Sequence, residues 1–208
     1  MLVSLARVDG WAHLDEQFLR ALVRMCDRRG IDPNVLLAVM SIETAGTFDP
    51  AIRNPGSTAT GLIQFMERTA RALGTTTAAL ARMSNVAQLA YVERYFAKYG
   101  PKKPLASMRP VDTYLVVFAG GHVGRPMSSV IFASGSQEYA ANRKMDSDDS
   151  GAIEVGDVHR KLEAKLLRAA AREPLVVEVW PGAAGPALAG FVLVTVVAGA
   201  VVGGRRSA

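Results

Sequence analysis

The first part of the chain carries the apolar periodicity of two successive helices. Apolar residues recur at spacings of three and four over 14–26 and again over 33–46, which places them on one face of an α-helix. Gly30 is typical of a helix C-terminus, and Asp32 followed by Pro33 combines an N-cap residue with proline at the first helical position. We therefore predict one helix that ends next to Gly30 and a second that starts at Pro33.

The same pattern continues in four later segments, which glycine, proline and polar loops separate. We predict helices over 61–73, 85–99, 111–118 and 155–172, since each keeps an apolar stripe at helical spacing. No sustained alternation of apolar and polar residues precedes Leu175, so the predicted fold class is all-α.

The last part of the chain differs in composition. No charged residue occurs over 181–204, and 188–202 is almost wholly apolar, long enough to cross a bilayer if it is helical. A buried strand or helix in an assembly also suits its valine and glycine content. We divide the chain into a helical domain over 1–172 and a linker with an apolar tail over 173–208, with membrane contact expected through 186–203.

Composition excludes several kinds of site. The chain has 208 residues, a net charge of +5 and a pI near 9.6, which favours contact with anionic polymers. Lys and Arg do not cluster with aromatic residues, so we expect no nucleic-acid partner. The single cysteine, Cys26, excludes a disulfide framework, and His13, His122 and His159 lack ligand spacing. The N-terminal residues lack the apolar core of a secretory signal, so we expect synthesis without a signal peptide.

Glu43 is an unusual residue because it shares a helix face with apolar side chains. It follows Val39 by four residues and Leu36 by seven, so all three point the same way. Burial raises the pKa of a carboxyl group, which is what a general acid needs near neutral pH. The alternative is a surface glutamate near a helix end, or one paired with an arginine such as Arg53.

The neighbourhood of Glu43 resembles the lytic transglycosylases and goose-type lysozymes of glycoside hydrolase family 23, especially their phage-encoded branch. That family has a helix-end glutamate, a Gly-x-Phe turn and then Gly-Leu-x-Gln. The matching positions here are, in order, Glu43, Gly46, Phe48, Gly61, Leu62 and Gln64. The resemblance implies a lysozyme-like domain whose catalytic part covers about 10–130. The later Ala-Tyr-Asn-Ala-Gly motif of the family is replaced by Val-Phe-Ala-Gly-Gly at 117–121.

The resemblance also implies an activity. Glu43 would protonate the glycosidic oxygen between N-acetylmuramic acid and N-acetylglucosamine, and the 6-hydroxyl of the muramic acid would then attack its own anomeric carbon, which yields 1,6-anhydro ends. A second carboxylate, for which Asp49 is the nearest candidate, would instead allow hydrolysis, but an aspartate before Pro50 is typical of a turn. No cofactor is required for this chemistry.

Two further functions stay open beside the transglycosylase. One is a lysozyme that hydrolyses the same bond, and the other is a structural virion or injection-system protein whose lysozyme-like domain only binds glycan. The phage resemblance implies host entry or lysis, with peptidoglycan strands and virion or tail proteins as partners. The protein would be made in the host cytoplasm and be either virion-associated or released to the periplasm and cell wall.

Five polar residues are candidates for substrate contact. The resemblance favours Gln64 as a hydrogen-bond partner of an N-acetyl or hydroxyl group, with support of its own loop as the alternative. Ser57 and Thr58 have hydroxyls that would orient the catalytic carboxyl, and Tyr91 lies in a segment similar to the phage branch. Tyr114 would supply the hydroxyl that the altered later motif lacks, with a core aromatic as the alternative.

A second motif follows the matched region. Its oxygen-bearing residues alternate as in a twelve-residue calcium loop, with glycine at the sixth position and an apolar residue at the eighth. The matching residues are Asp146, Asp148, Ser150, Gly151, Ile153 and Asp157. We predict a calcium site with Asp146, Asp148, Ser150 and Asp157 as ligands, the alternative being a solvated acidic loop.

Overall fold

The computed structural model of the protein describes residues 1–179, and the apolar segment 186–203 lies outside them. Eight α-helices occur within the described part. They are α1 (Glu16–Arg29), α2 (Pro33–Glu43), α3 (Glu67–Ala72), α4 (Thr77–Leu80), α5 (Asn85–Tyr99), α6 (Pro110–Phe118), α7 (Gln137–Asn142) and α8 (Val155–Ala170). The helix-rich class is confirmed and is consistent with a lysozyme-like fold. Within residues 1–179, no helix has both the length and the apolarity that a bilayer crossing needs.

The caps predicted for the first two helices are present. The Asp15 carboxylate accepts a hydrogen bond from the Phe18 N–H at 2.7 Å, and α1 therefore begins one residue after Asp15. Gly30 ends α1 with a φ of 62°, in the left-handed region where glycine carries no Cβ penalty. Asp32 caps α2 by accepting from the Asn34 N–H at 2.8 Å.

Helix α2 is the central element of the fold. It packs against both α6 and α8, while α1 packs against α5. Every residue from Val35 to Ser41 is buried, as expected for a helix surrounded on most sides. The burial of several aliphatic side chains along one helix, each worth about 1.5–3 kcal/mol, fixes the position of its C-terminal end. That end carries Glu43.

Four short strands qualify the all-α prediction. Strands β1 (Leu2–Leu5) and β4 (Leu175–Glu178) form one antiparallel pair, and β2 (Val130–Ala133) and β3 (Ala152–Glu154) form another. Each strand has three or four residues, which is too short for alternation to be visible in the sequence. The β1–β4 pair brings the residues that follow α8 back onto the N-terminal segment.

The helix predicted over 61–73 is wrong in its first half, because α3 begins only at Glu67. Gly61 and Gln64 have φ values of 80° and 51°, which no α-helix accommodates. Thr60 and Phe65 instead exchange two backbone hydrogen bonds of 3.1 and 2.8 Å across a tight turn. The short helices α4 and α7 were not predicted either.

Candidate active site

The catalytic candidate Glu43 is the last residue of α2, and a tight turn holds it there. The Gly46 N–H donates back to the Ser41 carbonyl at 2.8 Å, and Gly46 has a φ of 80°, as in a left-handed helix C-cap. The buried Thr44 hydroxyl donates to the Met40 carbonyl at 2.7 Å. The Gly-x-Phe turn of the sequence motif thus closes the central helix directly behind the glutamate.

Phe48 anchors the other end of this turn in the core. Its N–H donates to the Thr44 hydroxyl at 3.1 Å, and its ring lies edge-on to Phe18 with the centroids 6.3 Å apart. The ring is 2 % exposed. Because this aromatic side chain is buried, the backbone after Glu43 has little freedom to swing outwards.

The surroundings of Glu43 favour its protonated form. The residue is half-buried, and the loss of water around its carboxyl raises the pKa above the usual 4.5. The Tyr114 hydroxyl, as a hydrogen-bond donor, and the charge of Lys161 oppose this rise. Within residues 1–179, Lys161 is the charged residue that acts on the pKa of this carboxyl, and Arg53 does not form the ion pair with Glu43 that the sequence left open.

Tyr114 belongs to α6 and is 1 % exposed. Burial and the neighbouring Glu43 both raise the pKa of its phenol, which keeps the hydroxyl a donor. Tyr114 therefore packs in the core, as the alternative stated, and directs its polar end to the Glu43 carboxyl. A direct contact with substrate stays a prediction.

Tyr95 lies in the same segment as Tyr91, which resembles the phage branch, and was not selected as a site residue, although its charge environment includes Glu43. Its hydroxyl donates to the Val116 carbonyl at 2.9 Å, and its ring lies edge-on to Phe65 at 6.0 Å between centroids. Burial above all, then Tyr99 and Glu43, raise the pKa of Tyr95 to about 12. The half-buried ring of Tyr95 thus forms part of the wall beside the carboxyl.

A surface depression of about 370 Å³ extends from this wall. Its lining includes Arg68, Tyr95 and Tyr99. Tyr99 is 41 % exposed, and its ring centroid lies 4.9 Å from that of Tyr95. Two neighbouring phenol rings with polar edges and apolar faces suit a sugar, whose own rings carry C–H groups on their faces and hydroxyls at their edges.

Gln64 lies in the turn that precedes α3. Its side-chain amide donates to the Gly61 carbonyl at 3.0 Å, so Gln64 supports its own loop, as the alternative stated. The residue is half-buried. Its hydrogen bond to substrate stays a prediction.

Gln88 holds the same turn in place and was not recognised from the sequence. Its carbonyl oxygen accepts from the Leu62 N–H at 3.0 Å, and its amide donates to the carbonyls of Pro50 and Leu80 at 2.7 and 2.9 Å. A Cβ at Gly61 would lie 2.4 Å from this amide. The signal was available, since Gln88 precedes the buried Val92 by four residues and is a polar residue on an apolar face.

The remaining substrate candidates lie at the surface of the loops and of α5. The Ser57 hydroxyl accepts from the Ala59 N–H at 3.1 Å, and the Thr58 hydroxyl accepts from the Glu67 N–H at 3.0 Å. These bonds stabilise the loop and the start of α3. The half-buried Tyr91 lies under the guanidinium of Arg94, 4.8 Å from the ring centroid. Substrate contacts of Ser57, Thr58 and Tyr91 stay predictions.

Asp49 has the turn role that the sequence favoured. It is exposed, and its carboxylate accepts from the Ala51 N–H at 2.8 Å. It is not among the groups that act on the pKa of Glu43. The structure therefore offers no reason to treat Asp49 as a second catalytic carboxylate.

The predicted calcium loop connects α7 to α8. Carboxylate oxygens of Asp146, Asp148 and Asp157 lie within 4.8 Å of one another, and Gly151 has a φ of 82° at the sixth position. The Asp146 carboxylate accepts from the hydroxyl of Tyr139 at 2.7 Å, and that bond, more than any other group, lowers its pKa to about 2.

The other three predicted ligands, Asp148, Ser150 and Asp157, also have partners already. The Ser150 hydroxyl donates to the Ala152 carbonyl at 3.1 Å. The guanidinium of Arg160 donates to Asp157 at 2.6 Å and to Asp148 at 3.2 Å. A cation would compete with this guanidinium for both carboxylates, and calcium binding stays a prediction.

The segment that contains the centre of this site matches a known protein family. Residues 23–91 match the family model described as the Transglycosylase SLT domain. The matched segment includes Glu43, Gln64 and Gln88, but it ends before Tyr95 and Tyr114. A comparison with curated proteins finds no match. The similarity to this domain supports the predicted transglycosylase class and a peptidoglycan substrate at the level of the family model.

Proposed function

We propose that the protein is a peptidoglycan lytic transglycosylase that cleaves the β-1,4 bond between N-acetylmuramic acid and N-acetylglucosamine. The observation that carries the proposal is the position of Glu43. Its carboxyl lies at the end of the central helix, half-buried, with its pKa raised by burial and with the Tyr114 hydroxyl beside it. The match to the SLT domain over residues 23–91 gives independent support.

Glu43 acts first as the general acid. The glycosidic bond breaks through an oxocarbenium-like transition state, so the leaving oxygen must receive a proton as the bond lengthens. A carboxyl whose pKa is raised by burial holds this proton closer to neutral pH than an exposed glutamate does. The Glu43 O–H therefore donates to the oxygen that leaves with the N-acetylglucosamine unit.

Glu43 acts next as the general base. The 6-hydroxyl of the muramic acid attacks C1 of the same sugar, and the Glu43 carboxylate accepts its proton. This forms the 1,6-anhydro ring and restores the acid, so neither water nor a second carboxylate takes part. The proposal is supported by the surroundings of the carboxyl, since no other carboxylate within residues 1–179 acts on its pKa.

Two residues stabilise the Glu43 carboxylate that exists between the two proton transfers. After the first proton transfer, the Tyr114 hydroxyl and the charge of Lys161 both favour the ionised carboxyl. These groups are already positioned in the folded protein, so little reorganisation is needed during the reaction. Tyr95 and Tyr99 would contact the sugars along the depression that they line, and Gln64 would hydrogen-bond an N-acetyl or hydroxyl group from the turn before α3.

We place this activity in the entry of a phage into its host or in host lysis, with virion or tail proteins as partners. The support is the resemblance of the motifs around Glu43 to the phage-encoded branch. The membrane contact proposed for 186–203 belongs to the same setting.

The experiment is a digestion of purified peptidoglycan by the full chain, with mass spectrometry of the products. Anhydro-muropeptides support the transglycosylase, whereas reducing muramic acid ends would identify a lysozyme. The Glu43→Gln variant is the control for both. Equal product release by the wild type and this variant would refute the catalytic role, and glycan binding without any release would favour the structural alternative.

A further inference from the structure

A cleft lined by two lysines lies on the α8 side of the catalytic helix. Two adjoining depressions of about 710 and 690 Å³ share Lys144, Met145 and Lys161 in their lining. We call this region the lysine cleft. Lys144 and Met145 belong to a 3-10 turn after α7, and Lys161 belongs to α8. Each depression falls within the range of about 300–1,000 Å³ that small ligands occupy in proteins.

The two lysines are the cations of this cleft that form no ion pair within residues 1–179, although the charge of Lys161 acts on Glu43. Within residues 1–179 neither lysine forms an ion pair, whereas Lys165, one turn further along α8, binds Asp9 at 2.8 Å. Lys161 Nζ lies 3.0 Å from the sulfur of Met145, and a thioether is a weak acceptor for an ammonium group.

The acidic residues nearby do not neutralise these lysines. Asp157 is 1 % exposed and accepts from Ser147 at 2.8 Å and from Arg160 at 2.6 Å. Asp146 accepts from the Tyr139 hydroxyl. Side chains of the loop and of its flanking helices thus satisfy both carboxylates, and the two other acidic residues of the lining, Asp148 and Asp149, pair with Arg160 and Arg143. Within residues 1–179, Lys144 and Lys161 therefore have no carboxylate bound to them and can bind an added anion.

The cleft is electrostatically connected to the catalytic carboxyl. Helix α8 packs against α2, and the charges of Lys161 and Glu43 each change the pKa of the other group. Although the side chain of Lys161 is exposed over much of its length, desolvation lowers the pKa of its ammonium group. An anion bound in the lysine cleft therefore lies beside α8, the helix that packs against α2 and carries the lysine whose charge acts on Glu43.

We propose that the lysine cleft binds the carboxylates of the peptide that is attached to muramic acid. This inference rests on the proposed function, because it concerns the strand that Glu43 cleaves. Each muramic acid carries its peptide on a lactyl ether, so a strand with its muramic acid at Glu43 must place a carboxylate-bearing peptide near the catalytic centre. Lysine suits this task, since its flexible point charge tolerates several positions of a carboxylate.

The test compares cleavage of peptide-bearing glycan strands with cleavage of strands from which an amidase has removed the peptides. We expect the wild type to have the lower KM on peptide-bearing strands. Lys144→Gln and Lys161→Gln each raise that KM about threefold, as expected for partly exposed charge contacts, and the double variant shows nearly equal KM values on both substrates. Lys103→Gln, in a separate depression beside Gly100 and Leu105, is the matched control and retains the wild-type ratio.

The ratio of the two KM values separates peptide binding from an effect of Lys161 on Glu43. A change in the catalytic carboxyl alters both substrates equally and leaves the ratio unchanged, and that result would overturn the inference while the proposed function stands. If the lower KM instead depended on phosphate-bearing wall polymers attached to the strand and not on the peptide, the inference would be overturned as well.

Failure of the proposed function has a different signature, since the protein would then cleave neither kind of strand. In that case the Glu43→Gln full chain is titrated with the muramic acid disaccharide that carries its tripeptide and with the same disaccharide without it. Tighter binding of the first, lost in the Lys144 and Lys161 variants, supports the inference. Equal binding of both probes refutes it.

Discussion

The substitution Glu43→Gln removes the proposed acid and base and keeps the size of the side chain. General acid–base catalysis contributes about 10²–10⁴-fold to rate, and Glu43 serves in both steps, so we expect a loss near the upper end of about 10⁴-fold. This corresponds to about 5.4 kcal/mol in the activation free energy. No second carboxylate acts on the pKa of Glu43 within residues 1–179, so no carboxylate in that part of the chain is placed to replace it.

The same substitution changes stability in a direction that the structure specifies. Burial raises the pKa of Glu43 above its usual 4.5, so the folded state prefers the protonated form. The contribution of this carboxyl to the free energy of unfolding is fully present below pH 4.5 and is lost as the pH rises through the folded-state pKa. Glutamine stays neutral at every pH. The variant should therefore match the wild type in acid and be more stable than it at neutral pH.

Two measurements test this prediction together. Turbidity loss of wall suspensions and release of anhydro-muropeptides report the activity, and urea unfolding over a pH series reports the stability. An inactive variant that is less stable than the wild type at neutral pH would mean that the charged carboxyl is well solvated or firmly paired. A variant with more than a tenth of the wild-type rate would remove Glu43 from the mechanism.

Three further predictions concern other parts of the molecule. Tyr114→Phe removes a hydroxyl that lowers the pKa of Glu43, so the alkaline limb of the pH–kcat profile should move to higher pH with about a tenfold lower kcat; a shift to lower pH would contradict this. In Asp9, hydrogen bonds from Lys165 and Arg172 lower the pKa from 3.8 to about 2. This corresponds to about 2.4 kcal/mol before screening, but the side chain is 38 % exposed, and we expect Asp9→Asn to cost about 1 kcal/mol in urea unfolding. That loss should disappear as the pH falls from 3.8 towards 2, and a loss that persists there would refute the electrostatic cause. If the acidic loop binds calcium, calcium at about 100 times its dissociation constant should add about 2.7 kcal/mol to the free energy of unfolding. A melting temperature that rises equally in the wild type and in Asp146→Asn would exclude that site.

The features that depend on residues close together in the chain, such as helix caps and helix ends, were predicted correctly from the sequence. The N-cap of α2 at Asp32 and the bounds of α5 follow from side chains within a few positions of the helix ends, so they were visible in the pattern. The burial of Glu43 was also foreseeable, because its face was set by helical spacing from Val39 and Leu36.

The rest depends on partners that are distant in the chain. The turn at Gly61 is held by Gln88, 26 positions beyond the Leu62 N–H that it binds, so the apolar pattern of 61–73 suggested a helix instead. Lys161 is close enough to affect the pKa of Glu43 only because α8 packs against α2, and no spacing in the sequence encodes that proximity. The short strands form for the same reason, since β1 pairs with β4 across almost the whole described chain.

The three-way bonding of Gln88 has a consequence for how this protein tolerates mutation. One primary amide serves two carbonyls and one N–H at the same time, and among the common side chains only asparagine shares its donors and acceptor, with too short a stem. Glutamate would place a charge against two carbonyls, and methionine would leave all three backbone groups unsatisfied. A mutational scan of α5 should therefore find this position far less permissive than Leu89 beside it, even though Gln88 is not among the groups that act on the pKa of Glu43.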